Sequence, residues 1–450
     1  MTARTRPDSR RALLTDLYWT AVTAAEPGAA LRSALASRTL DPAQPIHLLA
    51  LGKAALPMAT SAVAVLKERG LTPAGGLLVV PEPATAPHPA LRVAVGDHPQ
   101  PAAGSLAAAE LLARAVAAVR PGDAVWVLLS GGTTSLVGAP IPSIDHADLT
   151  AMYRLLLGSG LDITSMNRIR KRFARWAGGR LAAALAHAHV KNFTISDVIG
   201  DDLGSIGSGP CVPDPSTAAD IRAALTGARL WEQVPAALRA HLDDVQNGRA
   251  AETPKPDHPA FGTTEIILIA SNRLALEAAS GRAESLGFRA VLVDAALAGE
   301  AAVAGHQIAS MMLGYNATNL SGAQVGEMNK DALLIWGGET TVTLTADAGL
   351  GGRSQELALA AAEVLDRAPA SGVALLAAGT DGRDGPTDAA GGFADPATWS
   401  AVRRAGRDPA ADLAHHASNA ALDAAGALFT TGMTGTNVMD LVLGIVPATD

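Results

Sequence analysis

The chain is poor in several things, and each shortage excludes a class of protein. It has one cysteine, Cys211, in "GSGPCVPDP". One thiol can form no internal disulfide framework and no thiolate metal site, so it reads as a small loop filler. Aromatic residues are only 3% of 450, and cores must therefore be built from Ala, Leu and Val. There is no excess of positive charge: the net charge is -8 and the pI about 5.8, which argues against a nucleic-acid partner. No run of about 18 apolar residues exists, so no membrane partner is expected. The first residues, "MTARTRPDSRRALLTDLYW", have arginines but no apolar signal region, and the reading is cytoplasmic. Two nucleotide signatures are also missing. Nothing matches GxxxxGK[ST], and no GxGxxG opens a helix after the first predicted strand.

What is present is globular. The chain is 48% hydrophobic and 17% charged, and its length implies more than one domain. Short apolar runs alternate with helix-period segments. "PIHLLALG" (45–52), "GGLLVV" (75–80), "LRVAV" (91–95), "DAVWVLLS" (123–130) and "NFTISD" (192–197) read as strands. So do "TEIILIA" (264–270), "FRAVLVD" (288–294), "DALLIWGG" (331–338), "TTVTLTA" (340–346) and "GVALLAAGTD" (372–381). Such alternation predicts an α/β fold, two domains with mainly parallel sheets. The Pro-rich, aperiodic 246–262 is the linker candidate, which places one domain at 1–250 and the other at 251–450.

Ligands of open α/β sheets bind beyond the carboxyl ends of the strands. Six predicted strand ends carry small, polar or charged residues: "GKAA", "SGGTTS", "SDVIGDD", "SNR", "GGET" and "GTDGRDGPTD". Each alone equally describes a glycine turn; together they predict a site assembled at strand ends, in a cleft between the domains. The amides of Ser130, Gly131, Gly132, Thr133, Thr134 and Ser135 could cradle phosphate oxygens. Lys53, one of six lysines, directly follows a strand and suits a phosphate. Asp197 ends another strand and could hold Mg²⁺ or accept a proton. In "MNRIRKRFARWAGGRLA", a basic run that also fits a solvated helix face, Asn167 and Arg170 lie three apart and share a face. Arg353 opens a predicted helix after two glycines, where a fork and a helix dipole could meet an anion. The loop holding Asp381, Asp384 and Asp388 could order a metal or a substrate; it is no EF-hand, because Gly392 stands at the twelfth position of that frame.

Taken in order, "GKAA", "SGGTTSL", "MNRIRK…GGRLA", "SDVIGDD…SGPCVPDPST", "GGETTV", "GGRSQELALA", "GTDGRDGPTDAAGG" and "GMTGTNVMDL" resemble the glycerate 2-kinase family, in which a glycerate-kinase domain precedes a MOFRL domain. The resemblance runs from about residue 50 to 445. It implies ATP-dependent phosphorylation of D-glycerate at the 2-hydroxyl, with ATP and Mg²⁺ as cofactors. It also implies Lys53 and Arg353 as active-site residues. With Asp197 these form the expected catalytic set. Asn167, Arg170, Glu339, Asp381, Asp384, Thr387 and Asn437 are the expected substrate contacts, and Asp197 and Asp381 the expected metal ligands. An NAD(P)-dependent hydroxypyruvate reductase, a kinase for a related hydroxy acid and a non-catalytic sugar-acid binder stay open as alternatives, as does a homodimer.

Overall fold

The computed structural model describes residues 7–315 and 330–448. They form two compact units. One is Pro27–Ile269; the other joins the described residues up to Glu26 to those from Ala270 onward. Helix α1 (Pro7–Ala24) therefore belongs with the C-terminal half of the chain.

The first unit begins with α2 (Pro27–Ala36), β1 (Ile46–Leu51), α3 (Ala55–Glu68), β2 (Gly75–Val80), β3 (Leu91–Val95) and α4 (Ala103–Ala117). It continues through β4 (Ala124–Leu129), a single turn α5 (Thr133–Leu136), α6 (His146–Leu157), α7 (Ile163–Phe173), α8 (Arg180–Ala184) and β5 (His189–Ile195). Helices α9 (Ala218–Gly227) and α10 (Ala236–Gln246) precede the last strand, β6 (Thr264–Ala270). The strand order is 3-2-1-4-5-6, and β1 to β5 pair in parallel. Every residue of β1 and β4 is buried, as the continuous runs "IHLLAL" and "AVWVLL" require of a sheet covered on both faces.

The second unit holds α11 (Asn272–Ser285), β7 (Arg289–Leu292), α12 (Ala301–Leu313), β8 (Ala332–Gly338), α13 (Arg353–Leu365), β9 (Ala374–Gly379) and β10 (Gly391–Ala394). Three short helices follow, α14 (Thr398–Arg404), α15 (Pro409–Ala414) and α16 (Ser418–Ala424), then β11 (Leu428–Phe429) and β12 (Asp440–Val446). Its strand order is 11-10-9-12-8-7. Here the parallel expectation needs qualifying. β7 and β8 are parallel, but β12 returns between β8 and β9 and is antiparallel to both, and β10 is antiparallel to β9 and β11. The architecture is α/β throughout, and this sheet is mixed.

Two further expectations change. "TTVTLTA" is not a strand. Thr341 makes one isolated bridge to Glu300, whose carboxylate also takes the Thr343 hydroxyl at 2.7 Å and amide at 3.2 Å. A side chain thus uses a backbone donor that a ladder would need, and local β-propensity is overridden. Nor does 246–262 separate the units. The division falls at Ile269/Ala270 because β6 completes the first sheet as an edge strand beside β5. The Pro-rich segment is pinned to the same unit: Thr253 Oγ1 donates to Asp214 at 3.0 Å, and Lys255 Nζ to the Asp214 carbonyl at 2.9 Å. Ala260 lies in the core.

Arg172 closes this network. Its fully buried guanidinium donates to Thr253 Oγ1 at 2.9 Å, pairs with Glu252, and lies 3.9 Å from the buried Asp214. Removing one partner of a buried charge pair leaves the other uncompensated, at a cost of about 3–5 kcal/mol. Arg172→Met should therefore lower urea-unfolding stability by that amount and expose residues 246–259 to limited proteolysis. Unchanged stability and cleavage would show the segment to be held by other contacts.

Candidate active site

The first unit has a point where its chain order reverses: β1 leads outward to β2, and β4 outward to β5 on the other side. A crevice at such a point is where doubly wound sheets take ligands. The two strand ends there are joined. Lys53 N donates to the Gly131 carbonyl at 2.9 Å, and Ala54 N to Ser130 Oγ at 3.0 Å. Thr133 Oγ1 returns to the Ser130 carbonyl at 2.8 Å and Ser135 Oγ to the Gly132 carbonyl at 3.0 Å. These hydroxyls are spent on holding the loop, which leaves recognition to its backbone. Gly132 has φ +85°, a left-handed value suited to glycine, and a Cβ there would stand 3.2 Å from Lys53 Cγ. A Cβ on Gly131 would stand 1.9 Å from Asp197 Oδ2, so only glycine fits beside that carboxylate. Lys53 is exposed and Asp197 half-buried.

Beside this loop lies a cavity of about 330 Å³ that brings Thr134, Ser135, Asn167 and Arg170 together with Tyr153 and Arg154. Arg170 stacks on Tyr153, 5.1 Å from the ring centroid. Burial pushes the Tyr153 phenol up to about 12 and lowers the Arg170 guanidinium. The Tyr153 hydroxyl and Arg170 Nε are both buried with no hydrogen-bond partner among the described residues. Among the described residues no carboxylate lines the cavity. Two guanidinium groups, unfilled donors and no acid make a place for an anion.

The second unit gathers a different set around Arg353. Its guanidinium donates to Asp440 at 2.5 and 3.0 Å and pairs with Glu339. Glu339 lies just beyond β8, Arg353 opens α13, and Asp440 opens β12. Burial lifts the Asp440 carboxyl to about 6 against the pull of Arg353, and Asp384 and Glu339 add to the rise. Arg353, expected to meet an anion at the start of α13, already has its guanidinium paired with Asp440 and Glu339. The α13 amides of Ser354 and Gln355 already donate to Asp384, at 3.1 and 2.8 Å. The electropositive helix end is filled by the chain's own carboxylate. Asp384 and Thr387, expected to face substrate, are turned inward. Gln355 Nε2 reaches Asp384 at 3.0 Å and Thr387 Oγ1 at 2.9 Å. Asp381 is half-buried and its Oδ1 takes the Arg383 amide at 3.0 Å; Asn437 is exposed and its side chain takes the Met439 amide at 3.1 Å. Asp388 is fully exposed.

Sequence reading missed Tyr153 and His98, both near the first loop, and Asp440, which anchors Arg353. Tyr153 gave no signal beyond a helical aromatic. His98 lies just past β3, at a strand end like those read above. Cys211 is buried and its thiol is pushed up to about 12, which fits a filler. Among the described residues no group of three or more His, Cys, Asp or Glu is arranged to hold a metal ion by itself, and no helix is long and apolar enough to cross a membrane.

A domain of unknown function, DUF4147, matches residues 13–243, and the MOFRL family matches residues 332–440. A glycerate 2-kinase of Pyrococcus horikoshii is 36% identical over 405 residues, 89% of this chain and 87% of its own. A D-glycerate 2-kinase of Thermotoga maritima is 34% identical over 442 residues, 98% of this chain and 99% of its own. The crystal structure of glycerate kinase from Thermotoga maritima superposes with a TM-score of 0.86 at 33% identity, covering 98% of this chain and 100% of that one. A relative from Agrobacterium vitis, 37% identical over 434 residues, 96% of this chain and 94% of its own, carries hydroxypyruvate reductase as a provisional name.

The Asp440 shift has a consequence for stability. A carboxyl raised from 3.8 to about 6 on folding favours the folded state below about pH 4, and that contribution is lost as pH rises through about 6. The span corresponds to about 3 kcal/mol. Asp440→Asn cannot titrate there. Between pH 4 and 7.5 the wild-type stability should therefore fall relative to the variant, by up to that amount, in urea titrations at both pH values. A constant difference between the two proteins would contradict the burial argument.

Proposed function

The chain belongs to the glycerate 2-kinase family, and from that premise we propose that it is an ATP-dependent kinase that phosphorylates D-glycerate at the 2-hydroxyl to give 2-phosphoglycerate. The observation that carries this reading is in the first unit: Lys53, the Gly131–Gly132 turn and the acid-free Arg170 cavity adjoin one another at the end of a parallel sheet. A phosphate chain lies along the turn, with its charge met by backbone amides and by Lys53. Arg170, with Asn167, takes the carboxylate of the acceptor. Catalysis of this kind is positioning and electrostatics, with little covalent work for the protein.

Magnesium, when bound, would neutralise charge on the phosphate oxygens, and Asp197 would hold it. The donor set suits that ion, which commonly takes one or two carboxylates plus substrate phosphates and water. Arg353 serves as a hub that fixes Glu339 and Asp440, with its Nε and both terminal nitrogens already engaged by those carboxylates.

The reductase reading has the Agrobacterium relative's name in its favour. Against it, "GKAAL" after β1 has none of the glycine spacing that lets a dinucleotide pyrophosphate approach a helix end. Incubation with ATP, magnesium and D-glycerate, with coupled ADP detection and phosphorus NMR of the product, tests the kinase directly. Release of ADP with a 2-phosphoglycerate signal is expected; NADH oxidation by hydroxypyruvate without ADP release would overturn it.

Two substitutions separate the roles. Lys53→Ala should lower kcat by about 100-fold or more, the usual scale for losing one preorganised charge. Arg170→Met should chiefly raise the KM for glycerate, by about 10-fold or more, because a carboxylate contact is made in ground and transition states alike. A kcat loss with KM unchanged in Arg170→Met would move that residue to the phosphoryl group.

A further inference from the structure

His98 enters the first site from a strand end that sequence reading passed over. β3 stops at Val95, and the loop that follows is tied down at once. Asp97 Oδ2 takes the Ser105 amide at 3.0 Å, and the Asp97 amide donates to Ser105 Oγ at 2.9 Å. Gly96 lies against the Leu136 carbonyl, 2.3 Å from where its Cβ would be, so the loop is pressed onto α5. The next residue projects back over the turn. His98 Cδ2 lies 3.4 Å from the position a Gly132 Cβ would take, on the same glycine that Lys53 flanks at 3.2 Å. Its ring therefore meets the turn through Cδ2, beside the lysine. Pro99, Gln100 and Pro101, the three residues that follow, form a wall of the Arg170 cavity. One short loop thus touches both the phosphate turn and the acceptor cavity.

We infer that His98 is a catalytic residue of the kinase, the proton acceptor for the hydroxyl that is phosphorylated. This rests on the function proposed above. An oxygen lone pair of the acceptor forms the new bond to the γ-phosphorus of ATP. The bond from that phosphorus to the β,γ-bridging oxygen breaks, and its electron pair leaves with ADP. The hydroxyl proton passes to an imidazole nitrogen of His98 and then to solvent.

The surroundings suit a neutral imidazole. The residue is exposed, but partial desolvation of its ring lowers its pKa and the Lys53 charge lowers it further, so the ring holds a free lone pair at neutral pH. The charged groups about it are few. Lys53 comes from the end of β1. Asp97, in the same loop, is occupied by Ser105. Asp197 lies against the neighbouring Gly131, and Arg154 and Arg170 line the cavity that the loop walls. α5 itself carries only Thr, Ser and Leu side chains. A base poised below neutrality beside a fixed cation can take a proton as phosphate charge develops nearby.

The test uses the full-length protein in two arms. In the first, His98→Gln should lower kcat for D-glycerate by about 100-fold, while the KM for ATP stays within about threefold. In the second, the His98 ring is assigned in ¹⁵N-histidine NMR spectra by its loss in that variant. Its titration midpoint should lie below 6.5, move up in Lys53→Met, and its signal should shift when AMP-PNP and magnesium are added. A wild-type protein that releases no ADP overturns the kinase reading. An active wild type with His98→Gln turnover within about threefold of it overturns this inference alone. The NMR arm needs no turnover: a His98 signal unmoved by AMP-PNP and by Lys53→Met overturns the inference whatever the assay shows.

Discussion

Two adjacent parallel strands in the first unit end side by side, and the chain leaves them in opposite directions. β1 and β4 are in register from Ile46 opposite Ala124 to Leu51 opposite Leu129, so their last residues are level. Beyond them regular pairing runs on for one bond each, Gly52 N to the Val79 carbonyl at 3.2 Å and Ser130 N to the Leu51 carbonyl at 3.0 Å, and the backbone groups that follow need other partners. The chain satisfies some of them across the gap, through Lys53 N to the Gly131 carbonyl and Ala54 N to Ser130 Oγ. That stitch fixes the turn, and the turn fixes what can stand beside it: Lys53 and His98 along Gly132, and Asp197 against Gly131. The Arg170 cavity inherits its position, because Thr134 and Ser135 of the same turn form part of its lining. Chemistry at this site is thus a consequence of sheet order before it is a consequence of any one side chain.

The second unit solves another problem. It buries Asp440 and Asp384 near Arg353, where isolated carboxylates would be costly. Asp384 is compensated by two helix amides and a glutamine, Asp440 by a guanidinium fork. Both carboxyls still sit above their ordinary pKa, since burial outweighs the bonds that favour charge. Glycine at 352 lets the Asp384 side chain come up to the start of α13. The "GGR" that opens this helix therefore serves an internal cap first. The aspartate-rich loop "GTDGRDGPTD" divides its labour: Asp384 braces a helix, Asp381 holds the local turn, and Asp388 faces solvent.

This division explains what could be read in the sequence and what could not. Lys53 and the 130–135 loop were legible because their elements are local. A buried strand ends, small residues follow, and sheet geometry does the rest. Asn167 and Arg170 were legible from helical spacing. Asp384 was legible as important but not as inward-facing, since its partners lie about thirty residues away in the chain. Asp440 was invisible for the same reason: β12 inserts between β8 and β9 from the far end of the sequence, and only that insertion brings Asp440 to Arg353. The expected linker failed because proline richness reports local irregularity and not the absence of tertiary contact. Lys255 and Thr253 are irregular in backbone yet fully engaged. "TTVTLTA" failed because Glu300, forty residues earlier, took a backbone hydrogen bond that a strand would have used.

For the kinase reaction proposed above, the charge balance favours the first unit over the second as the place for the phosphates. The chain as a whole carries -8, so an anionic ligand is repelled on average and needs a local exception. Around Arg353 there is none: Glu339 and Asp440 already pair with the one guanidinium, and Asp384 lies close by. Placing a triphosphate there would mean displacing carboxylates from a cation that holds them strongly. Around Gly131 and Gly132 the balance is reversed. Lys53, Arg154 and Arg170 adjoin the turn or its cavity, Asp197 is the carboxylate that meets Gly131 among the described residues, and a magnesium ion at that carboxylate would turn even this charge to advantage. The first unit therefore offers what a polyanion requires before it arrives, whereas the second has spent its cation on its own acids.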